Sequence, residues 1–272
     1  MTTTLFEVHG AVATLTLNQP ARRNPLDADT KQGLAEALAE MRRRSDLRAL
    51  VIAGRGGVFS AGGDLRGMQG TVLDSAGWRE RMASLHREVF APLIALDRPV
   101  IAAVDGAAYG AGFSLALAAD FVLASTRARF CMSFLRVGLV PDGGAWYTLP
   151  RVVGAQRAKE LMLSAREVGA AEALRLGIAM ELHPPEQLLA RAQALAASFS
   201  GASALAVGAV KRGVEIGTRS DLAATLAYEA DAQALAFQSP EHRSAVERFL
   251  AKQPAAFQWP PAAADETPRG AP

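Results

Sequence analysis

Two stretches of this 272-residue chain join a buried-strand pattern to a glycine-rich exit: Val51-Ile52-Ala53-Gly54 leading to Phe59-Ser60-Ala61-Gly62-Gly63-Asp64-Leu65, and Ile101-Ala102-Ala103-Val104 leading to Gly106 through Gly112. A strand that turns into a helix leaves backbone N–H groups without intrahelical acceptors, and glycine lets a ligand approach them. A pair of such corners would make an oxyanion hole, able to stabilise charge on a carbonyl oxygen. Neither carries Gly-Lys-Ser/Thr, nor Gly-x-Gly-x-x-Gly at the first turn of a βαβ unit, so phosphate-loop and dinucleotide readings fall away. A tight turn also uses glycine, so one loop alone decides little. His9, His86, His183 and His242 show no metal-ligand spacing or partnered carboxylate and are expected to be ordinary histidines; no metal site is expected. Ser60 has no histidine tied to it and reads as a turn residue, and Cys131, in an apolar context, as an inert buried thiol.

The elements that must carry these loops are readable from periodicity. Alternation in Phe6-Glu7-Val8-His9 and Ala11 to Leu17 about Gly10 predicts an antiparallel hairpin. Asp27-Ala28-Asp29 opens a helix with Leu34, Leu38 and Met41 on one face, ended by Arg42-Arg43-Arg44 in accord with the helix dipole. Residues 49–53, 100–104 and 121–124 read as buried strands, and 75–96 as a helix stopped by Pro99. From Gly143 onward the pattern is helical (143–153, 155–164, 170–176, 186–199, 203–216, 221–237 and 240–252), which places the sheet in the first half of the chain. From Gln253 the Pro- and Ala-rich end lacks a periodic apolar face and reads as a mobile tail or arm.

Half the residues are apolar, 21% are charged and the net charge is +2, which excludes a disordered chain. A single cysteine excludes a disulfide scaffold and suits a reducing compartment. The basic run has no interleaved aromatics for base stacking, so no nucleic-acid partner is expected. Residues 1–7 lack the basic and apolar parts of a signal peptide, and 106–119 is too short and Gly-rich to span a bilayer. The expectation is a cytoplasmic protein without a membrane segment.

From about Phe6 to Phe257 the chain resembles the crotonase, or enoyl-CoA hydratase/isomerase, superfamily. The resemblance rests on Leu15-Thr16-Leu17-Asn18-Gln19-Pro20 with Asn24-Pro25-Leu26, on Phe59 to Leu65, on Asp105 to Gly112 with Leu115-Ala116, and on Val137-Gly138-Leu139-Val140-Pro141-Asp142-Gly143-Gly144. It implies an α/β fold, a spiral of ββα units over 1–200, a C-terminal helical trimerisation region over 201–253 and a tail over 254–272. It also implies homotrimers or dimers of trimers, and acyl-CoA substrates with coenzyme A as part of the substrate and no prosthetic group. The oxyanion donors then fall on the N–H groups of Gly63 and Ala111, and enolate chemistry follows.

Departures from the family pattern narrow the chemistry. The positions where similar hydratases hold a water between two glutamates are Ser114 and Phe134 here, so two-glutamate hydration is unsupported. The nearest carboxylate is Asp142, and the string around it resembles the Δ3,Δ2-enoyl-CoA isomerases and the ring-opening isomerases of phenylacetate degradation. One carboxylate suffices to move a proton between the γ- and α-carbons, provided Phe134, Leu139 and Val140 desolvate it. The competing reading is that Asp142 caps a helix starting at Gly143. The resemblance places the CoA nucleotide near Arg22, Arg23, Asn24 and Leu26 and the backbone at Ala61, with Phe249 and Lys252 reaching across from the C-terminal helix. Gly62, Asp64, Leu65, Gly110, Ser114, Phe134 and Gly143 complete the expected binding set, and residues 66–84 are expected to shape the acyl pocket. Gln19 and Ser244-Ala245 replace the usual basic residue and Glu-Gly pair. A divergent hydratase and a catalytically silent acyl-CoA binder are the alternatives.

Overall fold

In the computed structural model, which describes residues 2–261, alternate residues of the buried runs face opposite sides of one sheet. Leu50 and Ile52 lie in one apolar cluster and Val51 and Ala53 in another, as the two-residue repeat of a strand requires. Strands β1 (Thr4–His9) and β2 (Val12–Leu17) form the expected hairpin, turning at Gly10 with φ 58°. The short β3 (Pro25–Leu26) precedes α1 (Ala28–Arg43), whose first turn is capped by the Asp27 carboxylate accepting from Thr30 N–H. Next come β4 (Ala49–Gly54), β5 (Gly62–Gly63) and the single turn α2 (Leu65–Met68). Helix α3 (Ser75–Leu85) passes through a π turn, His86–Phe90, into α4 (Ala91–Ile94).

Strand β6 (Val100–Val104) and the short β7 (Ala107–Tyr109) lead to α5 (Ala111–Leu117), every residue of which is buried, and then to β8 (Phe121–Ser125) and β9 (Arg129–Cys131). Helices α6 (Ala145–Val153) and α7 (Ala155–Ser164) precede β10 (Glu167–Gly169), α8 (Ala170–Arg175), β11 (Glu181–His183) and α9 (Pro185–Ser198). The chain closes with α10 (Ala204–Gly217), α11 (Leu222–Gln238) and α12 (Pro240–Leu250).

The main sheet has the order β1-β2-β4-β6-β8-β11, parallel except for the hairpin, with Leu15, Ile52, Ala102 and Val122 in register across it. One face packs on α1 and shares an apolar cluster with α5; the other packs on α9 through Leu188, Ala192 and Leu195. A second layer, β10-β9-β7, and the pair β3-β5 hold the glycine loops, and Ser60 bridges to Ala108 between them.

Two expectations are corrected. The sheet is not confined to the first half, because β11 adds its sixth strand and β10 extends the second layer. Helix α6 begins at Ala145, not Gly143, because Gly143 and Gly144 adopt left-handed backbone with φ 61° and 80°. The described part of the expected tail or arm, residues 254–261, is mostly exposed but lays two rings on the core: Phe257 lies 5.6 Å from Phe199, and Trp259 stands edge-on to Phe121 at 5.5 Å. Residues 262–272 lie outside the described residues. Among the described residues no single helix is long and apolar enough to cross a membrane.

Candidate active site

The two strand-to-helix corners meet. A Cβ built on Gly62 would sit 2.4 Å from the Tyr109 carbonyl oxygen and 3.1 Å from Ala111 N, and one on Gly112 would sit 2.7 Å from Ser60 Cβ. Only hydrogen fits between these backbones. Gly62 has φ 88°, and Gly110 has φ 52° and ψ −125°, conformations that side chains disfavour. Ala111 opens α5, so its N–H has no intrahelical acceptor. Gly63 follows Gly62 directly, and its own Cβ position meets only the flexible end of Met68, at 3.2 Å. Ser60 ties the first corner by donating to the Asn24 carbonyl and accepting from Gly62 N–H, the turn role expected of it.

The loop carrying Asp142 is pressed against the same helix. A Cβ on Gly143 would lie 2.9 Å from Ser114 Cβ and 2.6 Å from Phe90 Cζ, so α5, the π turn and this loop are in van der Waals contact. Ser114 is fully buried and donates back to the Gly110 carbonyl at 3.4 Å. Phe134, 7% exposed, rests beside Gly110. Asp142 Oδ1 is buried with no hydrogen-bond partner among the described residues. That burial pushes its carboxyl above the ordinary carboxylate range, opposed only by the charge of His86. Leu139 and Val140, expected beside the carboxyl, are 45% and 62% exposed, while the residue after Asp142, Gly143, is packed tightly on Phe90 and Ser114. The capping reading of Asp142 fails: α6 has Gly144 at its N-cap without a side-chain cap, and only the Asp142 backbone carbonyl accepts, from Ala145 N–H.

The expected nucleotide-binding residues divide. Arg22 reaches the first corner, but its guanidinium is held by Asp27 and Asp64, each at 2.8 Å, which raises its pKa. Arg23 adopts left-handed backbone, is exposed, and lends its carbonyl to Ala61 N–H. Asn24 is a correction. It is 1% exposed, and its side chain donates to the Arg55 and Val58 carbonyls while accepting from Gln19 N–H, so it braces the loop. Asn24→Ala is therefore expected to cost about 2–3 kcal/mol in urea unfolding, from two buried carbonyls left unpaired. Leu26 is half-buried against the core, and Leu65 is 52% exposed beside Asp64. Phe249, 80% exposed at the end of α12, lines a separate cavity of about 1450 Å³ between the core and the C-terminal helices. That cavity includes Pro99, Leu117 and Val210 but none of Gly63, Ala111 or Asp142, and Lys252 lies exposed in the turn just past the end of α12.

Two histidines stand in surroundings the sequence did not reveal. His183 is 4% exposed and paired with Glu181 at 2.8 Å, an interaction Arg191 completes at the sheet edge. His86 stands on the π turn, edge-on to Phe90 at 6.2 Å, with Nε2 buried and unpartnered among the described residues. Helical spacing carries no mark of a π turn, so the reach of the His86 charge to Asp142 is a matter of packing. Cys131 is buried, donates weakly to the Ala165 carbonyl and has its thiol pKa pushed up by burial, as an inert thiol would. Tyr109, hydrogen-bonded to Glu167 across the second layer, is pushed up to about 12 by burial and that carboxylate. No group of three or more His, Cys, Asp or Glu side chains among the described residues is placed to hold a metal.

The family model for enoyl-CoA hydratase/isomerase matches residues 7–260. A probable enoyl-CoA hydratase of Rhodobacter capsulatus is 38% identical over 93% of this chain and 96% of its own. The 1,2-epoxyphenylacetyl-CoA isomerase of Escherichia coli is 35% identical over 93% of this chain and 97% of its own. The crystal structure of an enoyl-CoA hydratase/isomerase from Cupriavidus metallidurans superposes with a TM-score of 0.92 at 43% identity, covering 97% of this chain and 99% of that one. With a fold of this order and match over nearly all of its length, the chain belongs to the enoyl-CoA hydratase/isomerase family.

Proposed function

We propose that the protein isomerises an enoyl-CoA, moving a double bond or opening an epoxide-derived ring, with the N–H groups of Gly63 and Ala111 holding the thioester oxygen and Asp142 shuttling the proton. The observation that supports this reading is Asp142, half-buried with its Oδ1 buried and unpartnered among the described residues, on a loop that packs against α5 at Gly143, at a site where Ser114 and Phe134 supply no second carboxylate. An α-proton of a thioester is weakly acidic, and two fixed amides facing the carbonyl oxygen stabilise the dienolate in a dry site. A carboxylate robbed of hydration is a stronger base than a solvated one and can return the same proton at the other carbon. No prosthetic group enters this scheme, in keeping with a family that acts on CoA thioesters without one.

A 3-enoyl-CoA incubated in H2¹⁸O is expected to yield the 2-enoyl isomer without heavy oxygen in the acyl chain, read by mass spectrometry. Incorporation matching turnover would replace this reading by hydration, the reaction named for several relatives. Tight CoA-ester binding without α-proton exchange would instead mark a silent member.

Helices α10–α12 bury none of their residues, and Val210, Leu222 and Leu250 are 66%, 73% and 75% exposed. We propose that this apolar surface is covered in a homotrimer or dimer of trimers. Light scattering that gives a monomer at micromolar concentration would exclude it.

A further inference from the structure

Two consecutive glycines, Gly62 and Gly63, lead the first corner into α2, and neither has a side chain that a neighbour could hold. Upstream, Ser60 restrains the pair by accepting from Gly62 N–H at 3.1 Å. Downstream, the first side chain is that of Asp64, at the N-cap of α2. An aspartate there ordinarily accepts from N–H groups of its own helix, but Asp64 makes no such bond. Its carboxylate accepts from Arg22 Nη2 at 2.8 Å instead. The other arm of the guanidinium, Nη1, donates to Asp27 Oδ2 at 2.8 Å and to Gln19 Oε1 at 2.9 Å. Both anchors are fixed: Asp27 caps α1, and Gln19 Nε2 donates to Asp27 and to the hydroxyl of the buried Thr30. Gly67 leaves room for the arrangement. A Cβ there would meet Asp64 Oδ2 at 2.6 Å, so a side chain at 67 would push the carboxylate off its partner.

We infer that Arg22 is a positioning residue, which clamps the Gly62-Gly63 corner to the start of α1 through Asp64 and so fixes the direction of the Gly63 N–H. This rests on the reading above in one respect, that Gly63 N–H faces the thioester oxygen. An exposed ion pair adds little to overall stability, yet a planar fork that joins two separate carboxylates restrains geometry where two glycines leave the backbone free. A nucleotide contact, the role the resemblance implies for Arg22, has different consequences. It acts on the affinity for CoA esters alone, whereas the clamp acts on the rate constant for any thioester, with or without a nucleotide.

The test follows α-proton exchange in D2O on butanoyl-CoA and on butanoyl-pantetheine, which lacks the nucleotide, with full-length wild type, Arg22→Ala, Arg22→Lys and Gly67→Ala. Arg22→Ala is expected to lower the limiting rate on both esters roughly tenfold, less than the outright loss of an oxyanion donor, and to keep KM for butanoyl-CoA within about twofold of wild type. Gly67→Ala, which leaves Arg22 in place, should lower both rates in the same way. Arg22→Lys keeps the charge but not the fork, so it restores a phosphate contact and leaves a clamp broken. A raised KM confined to butanoyl-CoA with the limiting rate unchanged, or Arg22→Lys equal to wild type, overturns the inference. Amide hydrogen exchange over residues 60–66, measured on the same proteins without substrate, should quicken about tenfold in Arg22→Ala and Gly67→Ala. Unchanged protection in Arg22→Ala overturns the clamp whatever the kinetics. Absence of α-proton exchange in the wild type would sink the enolate reading instead, and amide exchange would then decide the clamp by itself.

Discussion

Asp142→Asn is expected to fold like the wild type and to isomerise a 3-enoyl-CoA roughly a thousandfold more slowly, the usual worth of a positioned acid–base group. Asparagine keeps the size of the side chain and leaves untouched the backbone carbonyl that accepts from Ala145 N–H. What it removes is the base. Since the side chain caps no helix, a loss of activity cannot be traced to a lost cap. The variant should still bind CoA esters near wild-type affinity, and near-normal turnover in a stopped assay would overturn the assignment.

The same substitution carries a stability signature of determinate sign. Burial raises the folded-state pKa of Asp142 above its unfolded value, so between the two values the folded state binds more protons. Stability contributed by the neutral form is complete below the unfolded pKa and is lost as pH rises through the raised folded one. Above that raised folded value the wild type bears a partly desolvated charge that asparagine lacks. Asp142→Asn should therefore melt at or above the wild-type temperature at pH 8, with the difference shrinking as the pH falls. In turnover the sign reverses: wild-type kcat/KM should decline on the acid side with an inflection above the ordinary carboxylate value, because the base must be ionised.

Gly62→Ala carries the second large effect, at least a hundredfold in kcat, comparable to removing one oxyanion donor. The added methyl would stand 2.4 Å from the Tyr109 carbonyl, where no rotamer change relieves it, and the φ of 88° already disfavours a side chain. The corners must part, and the two amides part with them. Gly63→Ala is the matched control: it meets only Met68 Cε at 3.2 Å and retains its N–H, so it should stay within about tenfold of wild type, whereas Gly63→Pro removes the donor and should resemble Gly62→Ala. Comparable kinetics for Gly62→Ala and wild type would show that the contact between the corners does not set the site.

The hairpin, α1 and the strands at 49–54, 100–104 and 121–125 announce themselves in the residues, because each buries a face with a short repeat or a continuous apolar run. Strands β10 and β11 do not, since three residues are too few to show a repeat, and neighbouring strands β9 and β8 pair them. The glycine corners are visible in the chain as unusual composition, and Asp142 as the remaining carboxylate of its motif. His86 has no such mark.

Chain order and local pattern settled which backbone segments end in exposed amides and which loop holds a carboxylate, because strand periodicity and glycine's freedom are properties of neighbours along the chain. Packing settled the rest: that the Gly62 and Ala111 backbones approach each other closely, that Phe90 and Ser114 press on the residue after Asp142, that Asn24 is spent as a brace, and that the charge of His86 acts on the Asp142 carboxyl. Burial and pairing are sums over groups distant in sequence, and the charge state of a carboxyl follows that sum.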